Sequence, residues 1–123
     1  MSQLLASRGH ITAALEAGGI RWSTTGTFAA PAVLVEPGEP WAEPHTLGHG
    51  RRNGRWRLTA VAGKADTEGA VETLADLIDA VDGALWKLPN VELPTWSMPR
   101  DVLLGNVPYA ASIGTIQYMT EEV

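Results

Sequence analysis

The chain has 123 residues, 45% of them hydrophobic, no cysteine and a formal net charge of -5. That length is one domain's worth and can bury a core. The lack of cysteine excludes a disulfide framework, a thiolate zinc site and a thiol nucleophile, and no apolar run approaches the roughly 18 residues of a membrane span.

The opening MSQLLASRGHITAALEAGG is too interrupted for a signal peptide, so a soluble protein made in a cytosol is expected. Its loose apolar stripe (Leu4, Leu5, Ile11, Ala14, Leu15) predicts a helix that starts at Ser7 or Thr12 and ends at Ala17. Gly18-Gly19 stops it, because glycine accepts the left-handed backbone that follows a last helical turn. Ile20–Trp22 alternates apolar, charged and aromatic, as a short strand does. Pro31–Pro37 is a strand bracketed by prolines, which suits an edge. Then comes PGEPWAEPHTLGHGRRNGRW, rich in proline and glycine; residues 37–54 are expected to form a long structureless arm. Such lengths of irregular chain are uncommon in compact domains unless they have a function.

Arg55–Lys64 reads as the clearest strand. Trp56, Leu58, Ala60 and Ala62 point to a core; Arg55, Arg57, Thr59, Val61 and Gly63 form a second face that is charged at one end only. An amphipathic helix of about 20 residues follows, Thr67–Lys87. Val71, Leu74, Ile78, Val81 and Leu85 make its buried stripe, and Glu68, Glu72, Asp76 and Asp79 its wet side. Asp66 or Thr67 is positioned to cap it. Two more strands are expected in ELPTWSMPR and YAASIGTIQYM, with a turn in the intervening DVLLGNVPY. The sum is a single α+β domain spanning 1–123: an antiparallel or mixed sheet of four to five strands on two helices, with a long hairpin arm at 37–54.

Charge is unevenly placed: -2 over residues 1–50, +5 over 51–64 and -8 over 65–123. A chain divided in this way can complement a copy of itself, or set a basic lip beside DNA. Chemistry-bearing motifs are sparse. His45 and His49 lie four apart, but Pro44 and two glycines argue against a helix, and no glutamate stands between them as in a metalloprotease. They are expected to bind no metal and to carry no catalysis. GHGRRNG lacks the ending of a phosphate loop. Basic Arg51, Arg52, Arg55 and Arg57 have one aromatic neighbour, Trp56, which the alternation turns inward, so stacking on a nucleic-acid strand is not expected. Trp41 sits in the arm without apolar neighbours in sequence, as an interface anchor would.

The element order, with ALEAGGIRW closing the first helix, APAVLVEPGEPW, RWRLTAVAGKADTEGAVETLADLID and VPYAASIGTIQYMTEEV, resembles the tail terminator proteins of long-tailed phages of actinobacteria. These fall within the wider family of phage minor tail and neck proteins. The resemblance implies a non-enzymatic structural protein of the virion, without cofactor, assembled in the host cytoplasm. It implies a hexameric ring that caps the tail tube, ends tube polymerisation and meets the head connector, with DNA passing through its channel. On that reading the contact residues are Trp41 on the arm, with Arg51, Arg52 and Arg55 of one copy facing Glu68, Glu72, Asp76 and Asp79 of the next. Two alternatives stay open: another neck component, such as a head-closure protein or a tail tube subunit, and a small hydrolase using His45 or His49.

Overall fold

The structure is a computed structural model that describes residues 3–25, 29–44, 51–66, 68–89 and 91–121. Helix α1 spans Gln3–Ala17 and α2 spans Ala70–Leu85. The strands are β1 (Trp22–Ser23), β2 (Ala32–Pro44), β3 (Arg51–Lys64), β4 (Val91–Glu92), β5 (Arg100–Leu104) and β6 (Val107–Glu121). They form one six-stranded mixed sheet in the order β1-β2-β3-β6-β4, with β5 also on β6. Strand β1 runs parallel to β2, and the other pairings are antiparallel. The fold is α+β, with one strand more than the sequence suggests.

Helix α1 ends as its glycines predict. Gly19 takes a φ of 73°. The Ile20 amide donates to the Leu15 carbonyl at 2.9 Å and the Gly19 amide to Glu16 at 3.0 Å. This double closure satisfies carbonyls that the last turn would leave bare. The start of α2 differs from expectation. Its cap is Gly69 in the left-handed conformation, with no side-chain cap bond. Thr67 lies outside the described residues, and Asp66 sits in the turn that follows β3.

Both helices lie on one face of the sheet. Alternation puts Trp56, Leu58, Ala60 and Ala62 of β3 on that side, all buried. The main core joins Trp56 and Leu58 to Ile11, Leu15, Val33, Val35, Val81, Leu85 and Ile116; a smaller cluster packs Leu74 on Ala60 and Ala62. The opposite face of β3 changes character along its length: Arg57 is exposed, whereas Thr59 and Val61 are buried. One assignment on α2 is corrected. Val71 is 58% exposed, and Ala70 and Ala84 take places in the buried stripe beside Leu74, Val81 and Leu85. Small residues there let the helix approach the sheet closely, and Val71 is turned about 100° away from Ala70.

The segment expected to be a structureless arm is mostly sheet. Residues 37–44 belong to β2 and 51–54 to β3; 45–50, with His45 and His49, lie outside the described residues. Strand β2 pairs with β3 through Pro37↔Trp56, slips register, and resumes at Ala42↔Gly54 and Pro44↔Arg52. Strand β1 covers β2 only at Val33 and Leu34, so the prolines at 37, 40 and 44 fall on an edge strand. An edge tolerates a missing N–H, and proline there also blocks pairing with stray chains.

Residues 91–104 form one interrupted edge along β6. Strand β4 pairs at Tyr118 and Gln117, Trp96 makes a single bridge to Gly114, and β5 pairs from Ala111 back to Val107. A Cβ on Gly114 would stand 2.9 Å from both Pro94 and the Trp96 ring, so glycine is what lets the tryptophan lie over β6. The β5–β6 connection is a two-residue turn with Gly105 and Asn106 both at positive φ, the backbone that matches strand twist. The predicted turn is therefore confined to these two residues, and the sequence on either side of it is strand.

Candidate subunit interface

The region around Trp56 ties the β2–β3 hairpin to α1. The Trp56 indole donates to Ser7 Oγ at 2.9 Å, and Ser7 donates to the Leu4 carbonyl at 2.6 Å. The Arg8 guanidinium lies 5.9 Å from the centre of the same indole. Leu4 reaches so close to β3 that a Cβ on Gly54 would meet it at 2.8 Å. Trp41 packs edge-on against Trp56, with centroids 5.6 Å apart and planes at 83°, an offset geometry that aromatic pairs favour. Trp41 thus has a partner within its own chain, which the sequence did not foretell, and it remains 41% exposed.

Arg55 and Arg57 are engaged within the chain. Arg55 Nη2 donates to Glu43 Oε1, and Arg57 Nη2 donates to Glu36 Oε1 at 3.2 Å. The Arg55 hydrogen bond, helped by its charge and opposed by desolvation, holds the Glu43 carboxyl below the ordinary carboxylate range. These pairs bridge β2 and β3 on the sheet face away from the helices. Arg51 and Arg52 occupy the first two positions of β3, opposite Glu121 and Thr120 of β6. Glu68, Glu72, Asp76 and Asp79 are all exposed: Glu68 in the turn before α2, the other three at spacings of four and three along its outer side. The structure brings the acidic residues together on one surface, whereas it pairs Trp41 with Trp56 and Arg55 with Glu43 and so does not join them in one contact.

A second surface was not anticipated. Helices α1 and α2 part at the C-terminal end of α2 to leave an apolar cleft of about 500 Å³, lined by Ala13, Ala14, Ala17, Ala84, Leu88 and Pro89, with Lys87 and His10 among its polar members. At its base His10 Nδ1 and the Tyr118 hydroxyl share a hydrogen bond of 2.9 Å. Burial pushes the Tyr118 phenol above its usual range. On the other side of α2, Asp82 accepts a bond from Trp96 Nε1 at 3.0 Å. The alanines of α1 were the available signal; at 13, 14 and 17 they leave room that a larger residue would fill.

Among the described residues no group of three or more His, Asp or Glu side chains could hold a metal ion, and no helix is long and apolar enough to cross a membrane. No protein-family model matches the chain, and no curated protein matches its sequence.

Proposed function

We propose that this chain is the subunit of a ring-shaped assembly, a phage tail terminator that caps the tail tube, ends its growth and joins it to the head connector. The observation that carries the reading is the distribution of large apolar side chains left on the outside. Val71, Trp86, Met98 and Leu103 are each more than half exposed, on different elements. In this reading they are contact points for neighbours on more than one side, Trp86 foremost, since tryptophan is enriched among the anchors of interfaces. The α+β order of elements on which the resemblance rests is consistent with it. The half-exposed Trp41 and the acidic surface of α2 are further contact candidates in this reading, and DNA in the channel would meet the ring without sequence preference.

Native mass spectrometry and electron microscopy of the purified protein test it. The expected result is a closed ring of fixed stoichiometry, six in the reading above, which added to polymerising tube protein fixes tube length. A protein that stays monomeric at all concentrations and leaves tube length unchanged overturns the proposal. A second reading, a tail tube or closure subunit, is favoured by one feature: three strands of 13, 14 and 15 residues, unusually long for so small a chain. The same experiment separates the two, since a tube subunit grows into open tubes by itself.

A further inference from the structure

The turn that follows α2 separates two unlike surfaces. On the α1 side lies the alanine-lined cleft, with Lys87 at its rim. On the β4 side stands Trp86, 76% exposed, next to Val91, Glu92 and Leu93. An indole left this far in water keeps most of its area free for contact outside its own chain. Tryptophans of this kind are the commonest anchors of interfaces, where they fill apolar pockets on the partner. A volume of about 500 Å³ is within the range that takes up a bulky organic group.

We propose that Trp86 of one copy seats in the α1–α2 cleft of the next copy, head to tail. Charge supports a second copy as the occupant: the knob carries Glu92 beside it, and the hole carries Lys87. Opposite charges around an apolar centre orient the two surfaces and disfavour the reversed arrangement. A knob on one side of a turn and a hole on the other repeat from copy to copy, and a rotation that closes turns the repeat into a ring. The inference rests on the ring reading above and supplies a contact for it that does not depend on Arg55 or Arg57, which are held by Glu43 and Glu36.

Two variants block opposite sides of the contact. Trp86→Ala removes the knob. Ala13→Trp fills the hole, and Ala13 is exposed, so the fold accommodates the change. Circular dichroism and thermal melting first establish that both remain folded. Native mass spectrometry then follows each variant alone and the two mixed. Each alone is expected to assemble only at a concentration about thirtyfold or more above the parent, the effect of losing a central anchor. Mixed, they are expected to form one-to-one pairs that grow no further, because the intact knob of one meets the intact hole of the other. If both variants form rings as readily as the parent, this contact is wrong and the ring reading stands. If both are monomeric and mixing yields no pairs, the head-to-tail contact is wrong. If the parent itself never assembles, both readings fall together.

Discussion

The two helices cover the same sheet face with stripes of different chemistry. On α2 the buried positions are Ala70, Leu74, Val81, Ala84 and Leu85, all apolar. On α1 they are Leu4, Ser7, Ile11, Thr12 and Leu15, so two of five carry hydroxyls. The hydroxyls are satisfied locally: Ser7 bonds Leu4 and Trp56, and Thr12 donates to the Gly9 carbonyl at 3.1 Å. A buried polar group costs little when its partners are in place. The difference teaches that a helix can be as deeply docked as its neighbour while showing little of that docking in its hydropathy.

The largest effects break the comparison at its apolar contacts. Leu15→Ala on α1 and Leu74→Ala on α2 are each expected to destabilise the fold by about 2–5 kcal/mol, measured by denaturant melts. Leu15 is fully buried in the main core and Leu74 nearly so in the smaller cluster. Val71→Ala is the control, expected to stay within about 0.5 kcal/mol because Val71 faces water. A small Leu15 effect beside a large Leu74 effect would mean that α1 is an accessory to the fold.

A sharper cut comes at the hydroxyl that only α1 uses. Ser7→Ala strands the buried Trp56 N–H, and about 1–3 kcal/mol is expected. Combined with Trp56→Phe, which removes the donor, the loss should be less than additive in a double-mutant cycle. Additive losses would show that the 2.9 Å bond contributes nothing by itself.

The smallest effect lies where neither helix reaches, on the far face of the sheet. Arg55 lowers the folded-state pKa of Glu43. The stabilisation is therefore present above the unfolded carboxyl's ordinary value, near 4.5, and is lost as pH falls through that value towards the folded one. Parent and Glu43→Gln melting temperatures should differ slightly at neutral pH, less in high salt, and converge in acid. A gap that widens in acid would contradict the sign.

Much of the fold was legible where period and punctuation agree. The alternation in β3 foretold both its faces, including the change from Arg57 to Val61 on the far side, and Gly18-Gly19 foretold the end of α1. The arm is not legible, because Pro37, Pro40 and Pro44 have the chemistry of breakers. An edge strand tolerates missing donors, and only the sheet's topology reveals which strand is the edge. The start of α2 lies later than the sequence suggests, because Asp66 has the chemistry of a cap while the chain uses the backbone freedom of Gly69. Of the candidate interface, the acidic surface of α2 could be read directly from residue spacing. The cleft could not, since alanines spaced along α1 become a hollow only when α2 is laid beside them. The sequence singles out Trp41 as the unpartnered indole; the fold shows that Trp41 has an aromatic partner and that Trp86, at the end of α2, is the one that stands in water.

The position of β6 has a consequence for the order in which the chain can fold. It is the last of the six strands in sequence, yet it lies between β3 and the β4–β5 edge and pairs with β3 from Arg51↔Glu121 to Lys64↔Tyr109. Pairing at such sequence separation forms slowly, because long loops must close before any contact rewards them. Until β6 arrives, β3 has an open side and residues 91–104 have no strand to lie along. During synthesis the helices and the β2–β3 hairpin therefore emerge before the strand they are to be joined by, and the sheet is completed only once β6 follows them.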